Sequence, residues 1–172
     1  MIFGMHSDQL ITITSLCAVI ISTLSFVLTV ITGFLQIKHN KNSIRPISDI
    51  RVQDYEDLIA VRIENVGIGP LVVRKLRFKR EDDNIEYSSL IEMMPYINEQ
   101  WTTFFEKADG WKIPVGGKID LIELSPALEE SKESVRKALS TITVLLTYTD
   151  VYGTIFKDSR KLDFFSRHFR IN

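Results

Sequence analysis

The sequence predicts a mainly β protein: an N-terminal transmembrane helix followed by an Ig-like β-sandwich with one inserted helix. Three observations lead there. Residues 11–35, ITITSLCAVIISTLSFVLTVITGFL, carry no charge and no proline. Beyond them come roughly seven or eight short alternating or β-branched runs, separated by Gly, Pro, Asn and Asp turn signals. Only one stretch of that region, ALEESKESVRKAL, has helical spacing. A small β-barrel is the alternative closure for such strands.

The apolar run would extend roughly 37 Å as a helix, against a hydrocarbon core of about 30 Å. A lone segment in lipid must satisfy its own backbone, so a helix is required. The span is set at 11–39. The first ten residues, MIFGMHSDQL, hold no Lys or Arg and no cleavage pattern, so the span is expected to stay as an anchor behind a short extracytoplasmic tail. Lys38, Lys41 and Arg45 flank only its C-terminal end. By the positive-inside rule the N-terminus lies outside, 40–46 form a linker, and 47–172 form one cytoplasmic domain.

Small and polar residues recur along the span at steps of three and four: Ser15, Ala18, Ser22, Ser25, Thr29, Thr32, Gln36 and His39. This period places them on one helix face and favours left-handed packing against other helices. With one span per chain, the partners are other copies, so a homo-oligomer is expected. Two readings of the seam stay open. Its small residues let helices approach while each hydroxyl bonds its own preceding turn, or its Ser/Thr rings line a water-filled pore. Asp8 lies one heptad above Ser15, beyond a break at Ile11.

In the domain, 50–52 open the first strand and 58–64 alternate well. Asn65-x-Gly67-x-Gly69-Pro70 is a turn whose glycines can take positive φ. In the strand 71–80, Val72, Leu76 and Phe78 are expected to face the core, with Lys75, Arg77 and Lys79 on the wet face. Asp82-Asp83-Asn84 turns the chain into a short strand at 85–87. A helical turn at 90–94 and strands at 101–105 and 118–124 follow. Ser125 and Pro126 supply an N-cap and N1 pair for the helix, whose apolar face is Leu128, Val135 and Leu139. The run 141–148 is the strongest strand, 150–153 turn it, 154–157 return, and 162–165 close the fold.

At Asn65-x-Gly67-x-Gly69-Pro70 and Tyr148-x-Asp150-x-x-Gly153 the chain resembles a broad group of bacterial membrane-anchored β-sandwich proteins. The resemblance covers the span and most of the domain, and its motifs are structural turns. It extends to the transmembrane effector of Hailong-type antiviral defence systems. It implies an inner-membrane protein, a homo-oligomer such as a tetramer, and a channel held closed by a DNA-like oligonucleotide that a partner nucleotidyltransferase makes.

Composition narrows the chemistry. The 172 residues carry a formal charge of −1 and one cysteine, Cys17, inside the span, so no intrachain disulfide or Cys-based metal site is expected. The histidines His6, His39 and His168 lack zinc spacing. Neither a Gly-x-Ser-x-Gly motif nor a complete phosphate loop is present, and Val115-Gly116-Gly117-Lys118 reads as a turn before a strand. No catalytic residue, metal or cofactor is expected. The candidate ligand contacts are Lys75, Arg77 and Lys79, spaced along one strand face as an anionic backbone would need. A second cluster holds Arg160, Lys161, Arg167, His168 and Arg170 among Phe164, Phe165 and Phe169, as a single strand would need. The alternative to both is an ordinary solvated surface, in which case the protein is a membrane-tethered interaction module.

Overall fold

A computed structural model describes residues 7–168 apart from 84, 99, 126 and 127. His6, Asn84, Pro126, Phe169 and Arg170, and the side chains of Asp8 and His168, lie outside what is described. Two compact units divide at Asn42 and Ser43.

The first unit carries helix α1, Ser7–Ser43. At 1.5 Å per residue it is about 56 Å long. It is long and apolar enough to cross a membrane, and its surface is open along its length. It outruns the 11–39 span, so Asn40 to Ser43, expected in the linker, are helical. Residues 36–43 hold no Gly or Pro to break the helix. Lys41 in the last turn suits the macrodipole, and Pro46 stops the run by disfavouring helical geometry just before it.

The second unit is antiparallel throughout. One sheet has the order β1-β2-β7-β5, from Ser48–Asp54 (β1), Ile59–Asn65 (β2), Thr103–Phe104 (β5) and Lys118–Leu124 (β7). The other has the order β4-β3-β8-β9, from Leu71–Arg80 (β3), Glu86–Tyr87 (β4), Ile142–Thr149 (β8) and Ile155–Lys161 (β9), with Lys112–Ile113 (β6) also paired to β3. Short 3₁₀ turns occupy Ile91–Met93 and Asp163–His168. One hydrophobic cluster draws on both sheets, including Ile59, Val61, Ile63 and Leu124 from the first and Leu71, Val73, Phe78 and Val144 from the second.

Three local expectations are corrected. Val73, not Val72, faces the core of β3, because a register shift between Val73 and Lys75 changes the strand's phase. The helix α2, Glu129–Leu139, starts at Leu128 without a side-chain cap, so Ser125 is not its N-cap. Leu128 is consequently exposed. The buried face of α2 is Val135 and Leu139 completed by Lys132 and Arg136. Finally, Gly67 and Gly69 do not adopt positive φ. They are small because the chain entering the domain runs against them: a Cβ on Gly67 would strike the backbone of 45–47, and one on Gly69 the backbone of Ile44.

Asn65 organises that junction. Fully buried, its Nδ2 donates to the carbonyls of Gly69 (2.8 Å), Ile113 (3.2 Å) and Pro114 (3.2 Å). Its Oδ1 accepts from the N–H of Gly67 (3.1 Å) and Ile47 (3.4 Å). The backbone N–H groups of Val66 and Ile68 donate to the carbonyls of Ile47 and Arg45. In the β8–β9 turn, Asp150 Oδ1 accepts from the N–H of Tyr152 and Thr154, both at 2.8 Å, and Gly153 takes φ +80°. Tyr148 stacks on Phe156, and the Arg45 guanidinium lies 4.6 Å above the same Phe156 ring.

Candidate ligand-binding face

The outer face of the second sheet is set by the register of three strands. Lys75 pairs with Thr147, which pairs with Lys157; Arg77 with Leu145 and Ser159; Lys79 with Thr143 and Lys161. Side chains on alternate residues share a face, and these nine positions share the outer one. Two cationic columns therefore flank a trough of Thr147, Leu145 and Thr143. Neighbouring strands lie about 4.8 Å apart, so the columns stand about 10 Å apart, with about 6.7 Å between successive side chains along each strand. A depression of about 490 Å³ opens here, lined in part by Lys75, Arg77, Thr147, Lys157 and Ser159.

Several of these cations are engaged. Lys75 pairs with Glu86 at 2.8 Å, with both side chains about half exposed. Its hydrogen bond holds the Glu86 carboxyl below its ordinary range. Arg77 grips Asp109 through its two terminal nitrogens, Nη1 and Nη2, at 3.1 and 3.0 Å, while Asp109 also accepts from the N–H of Leu76. Burial pushes the Asp109 carboxyl up, but the Arg77 and Leu76 bonds outweigh it and the net direction is down. Lys161 pairs with Glu81. Among the described residues no carboxylate lies in salt-bridge reach of Lys79 or Lys157. Five cations thus meet three carboxylates, a face biased to anions whose exposed pairs are weak enough to exchange for a ligand.

The described members of the second sequence cluster do not share one face. Lys161 joins the sheet face. Arg160 has the opposite parity on β9 and donates to the Ile50 carbonyl across the edges of the two sheets. Arg167 lies 4.1 Å above the Phe164 ring and 3.3 Å from the Asp54 carboxylate. Phe165 is buried and cannot stack on a base. What sequence reasoning missed is Lys157. Its alternation with Ser159 and Lys161 was visible, but its place opposite Lys75 depends on how β8 aligns with both neighbours.

A second charged group lies between α2 and the β1–β2 turn. Asp54 has a fully buried carboxylate gripped by Arg136, with nitrogens at 2.8 to 3.2 Å. Arg136 also binds Glu129, which pairs with Lys132 at 2.9 Å, and Lys132 donates to the Glu56 carbonyl. Hydrogen bonds from Lys132 and Arg136 lower the Glu129 pKa to about 2. Every member is committed to another, which marks this group as a brace.

The seam residues of α1 share one helical unit. Ser15, Ser22, Thr29 and Thr32 donate their hydroxyls to carbonyls three or four residues back, as do Thr14 and Thr23 off the seam. Ala18, Ser25, Gln36 and His39 lie on the same exposed helix.

The sequence matches no protein-family model and has no significant match among curated proteins.

Proposed function

We propose that this protein is a membrane-anchored effector whose domain, a cytoplasmic Ig-like β-sandwich, binds a phosphate-rich strand such as an oligonucleotide. The three-row cationic face of β3, β8 and β9 is the observation that carries this reading. Its repeat of about 6.7 Å suits successive charges of an extended polyanion, and its Thr and Ser hydroxyls can donate to phosphate oxygens. The face has no stacking platform among its described residues, so charge, not base identity, would dominate affinity. The rest follows the resemblance: an inner-membrane protein with its N-terminus outside, assembled as a homo-oligomer, acting as a gated pore in antiviral defence beside a nucleotidyltransferase that supplies the oligonucleotide.

The test is titration of full-length protein in detergent with labelled short single-stranded DNA at several salt concentrations. Lys79→Glu combined with Lys157→Glu should weaken binding at least tenfold. It should also flatten the salt dependence by about 1.4 in log–log slope, about 0.7 for each phosphate no longer neutralised. Lys137→Glu on α2 is the control. Undetectable binding at low salt, or an equal weakening in the control, would remove the face as a polyanion site.

A second reading fits the same helix. Four of the five seam hydroxyls, those of Ser15, Ser22, Thr29 and Thr32, donate within their own helix. The spans could therefore pack closely without conducting, leaving a membrane-tethered interaction module.

A further inference from the structure

Three turns close the end of the domain where the chain enters it: 66–70, 114–117 and 150–153. They are neighbours. Asn65 bonds the first to the second, and Pro70 lines one depression of about 520 Å³ with Val151, Tyr152 and Gly153 of the third. Turn tips are ordinarily Gly, Asn, Asp or Ser. Here they expose Ile68 (73%), Val115 (56%), Val151 (54%) and Tyr152 (52%). Such a group of apolar tips marks an interaction surface.

Two facts select the occupant. The first is continuity. Ile68 is hydrogen-bonded to Arg45, two residues from the end of α1, and a chain of two residues reaches at most about 7 Å. The second is charge. Arg74 and Lys112 line the same depression, and its one carboxylate, Asp150, accepts two hydrogen bonds from its own turn. Apolar tips with a tyrosine, flanked by cations, suit the boundary between acyl chains and anionic headgroups.

We propose that these three turns rest on an anionic bilayer, with Ile68, Val115 and Tyr152 dipping into its headgroup layer and Arg74 and Lys112 meeting lipid phosphates. This rests on the reading of α1 as a membrane span.

The experiment uses full-length protein with Cys17→Ser, reconstituted in phosphatidylcholine–phosphatidylglycerol liposomes. Single cysteines carry an environment-sensitive fluorophore at Ile68→Cys, Val115→Cys or Tyr152→Cys. Tyr96→Cys, beyond the Met93 contact with Arg80 at the far end of β3, is the aqueous control. Val27→Cys reports the span. Brominated lipids should quench the three tip labels severalfold more than the Tyr96 label, and Val27 should be quenched most. Quenching at Val27 with tip labels as unaffected as Tyr96 overturns the proposal and leaves the span reading intact. Tip labels shielded from aqueous quencher yet untouched by brominated lipid would show a second copy covering the turns, and also overturn it. An unquenched Val27 removes the span reading and the proposal with it.

Discussion

A single side chain, Asn65, holds three backbone segments, so it concentrates more consequence than any cation on the sheet face. Asn65→Ala takes the Nδ2 donor from the carbonyls of Gly69, Ile113 and Pro114 and the Oδ1 acceptor from the Gly67 N–H; Pro114 keeps the Gly117 N–H, and each group left unmet costs about 1–3 kcal/mol. Some relaxation is expected, so the domain should be destabilised by about 3 kcal/mol. Urea unfolding of the full-length protein in detergent, followed by the fluorescence of Trp101 and Trp111, measures it; a change below about 0.5 kcal/mol would place Asn65 among ordinary surface substitutions. Gly67→Ala tests the same junction from its other side, by forcing a Cβ into the backbone of 45–47. The motif was legible in the sequence, but its reason was not. Two glycines two residues apart suggest positive φ, whereas here they mark a close approach by a segment about 20 residues earlier in the chain, which no local pattern shows.

At the scale of elements, composition revealed strands better than phase. The run LVVRKLRFKR is plainly β, yet one register shift moves Val73 into the core in place of Val72, because a bulge leaves no trace in residue type. The pairing that sets Lys157 opposite Lys75 is likewise a property of three aligned strands, not of either segment. The helix α2 was legible, while the buried charges on it were not, since Lys132 and Arg136 read as solvent-facing until Asp54 and Glu56 are brought against them. That brace makes a graded prediction. Arg136→Gln leaves the buried Asp54 carboxylate to the partly exposed Arg167 and should cost up to about 3 kcal/mol at neutral pH, the low end for a broken buried pair. Glu129→Gln should cost far less, because the Glu129 side chain is 71% exposed and solvent screens it. The sign of its pH effect is fixed. The Glu129 pKa in the folded chain is about 2, below the ordinary 4.5. Its stabilisation is complete above the ordinary value and fades as pH falls toward 2. Wild type should therefore be destabilised more than Glu129→Gln between about pH 5 and about pH 3 in paired unfolding curves. Identical changes would mean that Glu129 contributes nothing through its charge.

For the whole molecule, the proposed homo-oligomer raises the question whether copies of α1 would make a pore or a packed bundle. The helix was legible because a charge-free apolar run of this length, if it lies in lipid, has one way to satisfy its backbone. The outcome at its seam was not, since the same small residues serve both uses and the answer depends on chains that surround one another. The hydroxyl bonds of Ser15, Ser22, Thr29 and Thr32 to their own carbonyls are compatible with either, because a hydroxyl that donates inward still offers lone pairs to water. Bulk separates the two. In a pore, Ser22→Leu or Ser25→Leu fills and dries the constriction and should abolish conductance while the protein still inserts and cross-links as an oligomer. Ile20→Phe and Leu24→Phe, off the seam, should leave conductance near wild type. In a close-packed bundle, the same leucines instead push the helices apart, so the oligomer itself should dissociate, with no conductance in any variant to begin with. Bilayer recordings paired with cross-linking of each variant, with and without added single-stranded DNA, decide between them. Equal conductance in seam and off-seam variants removes the pore.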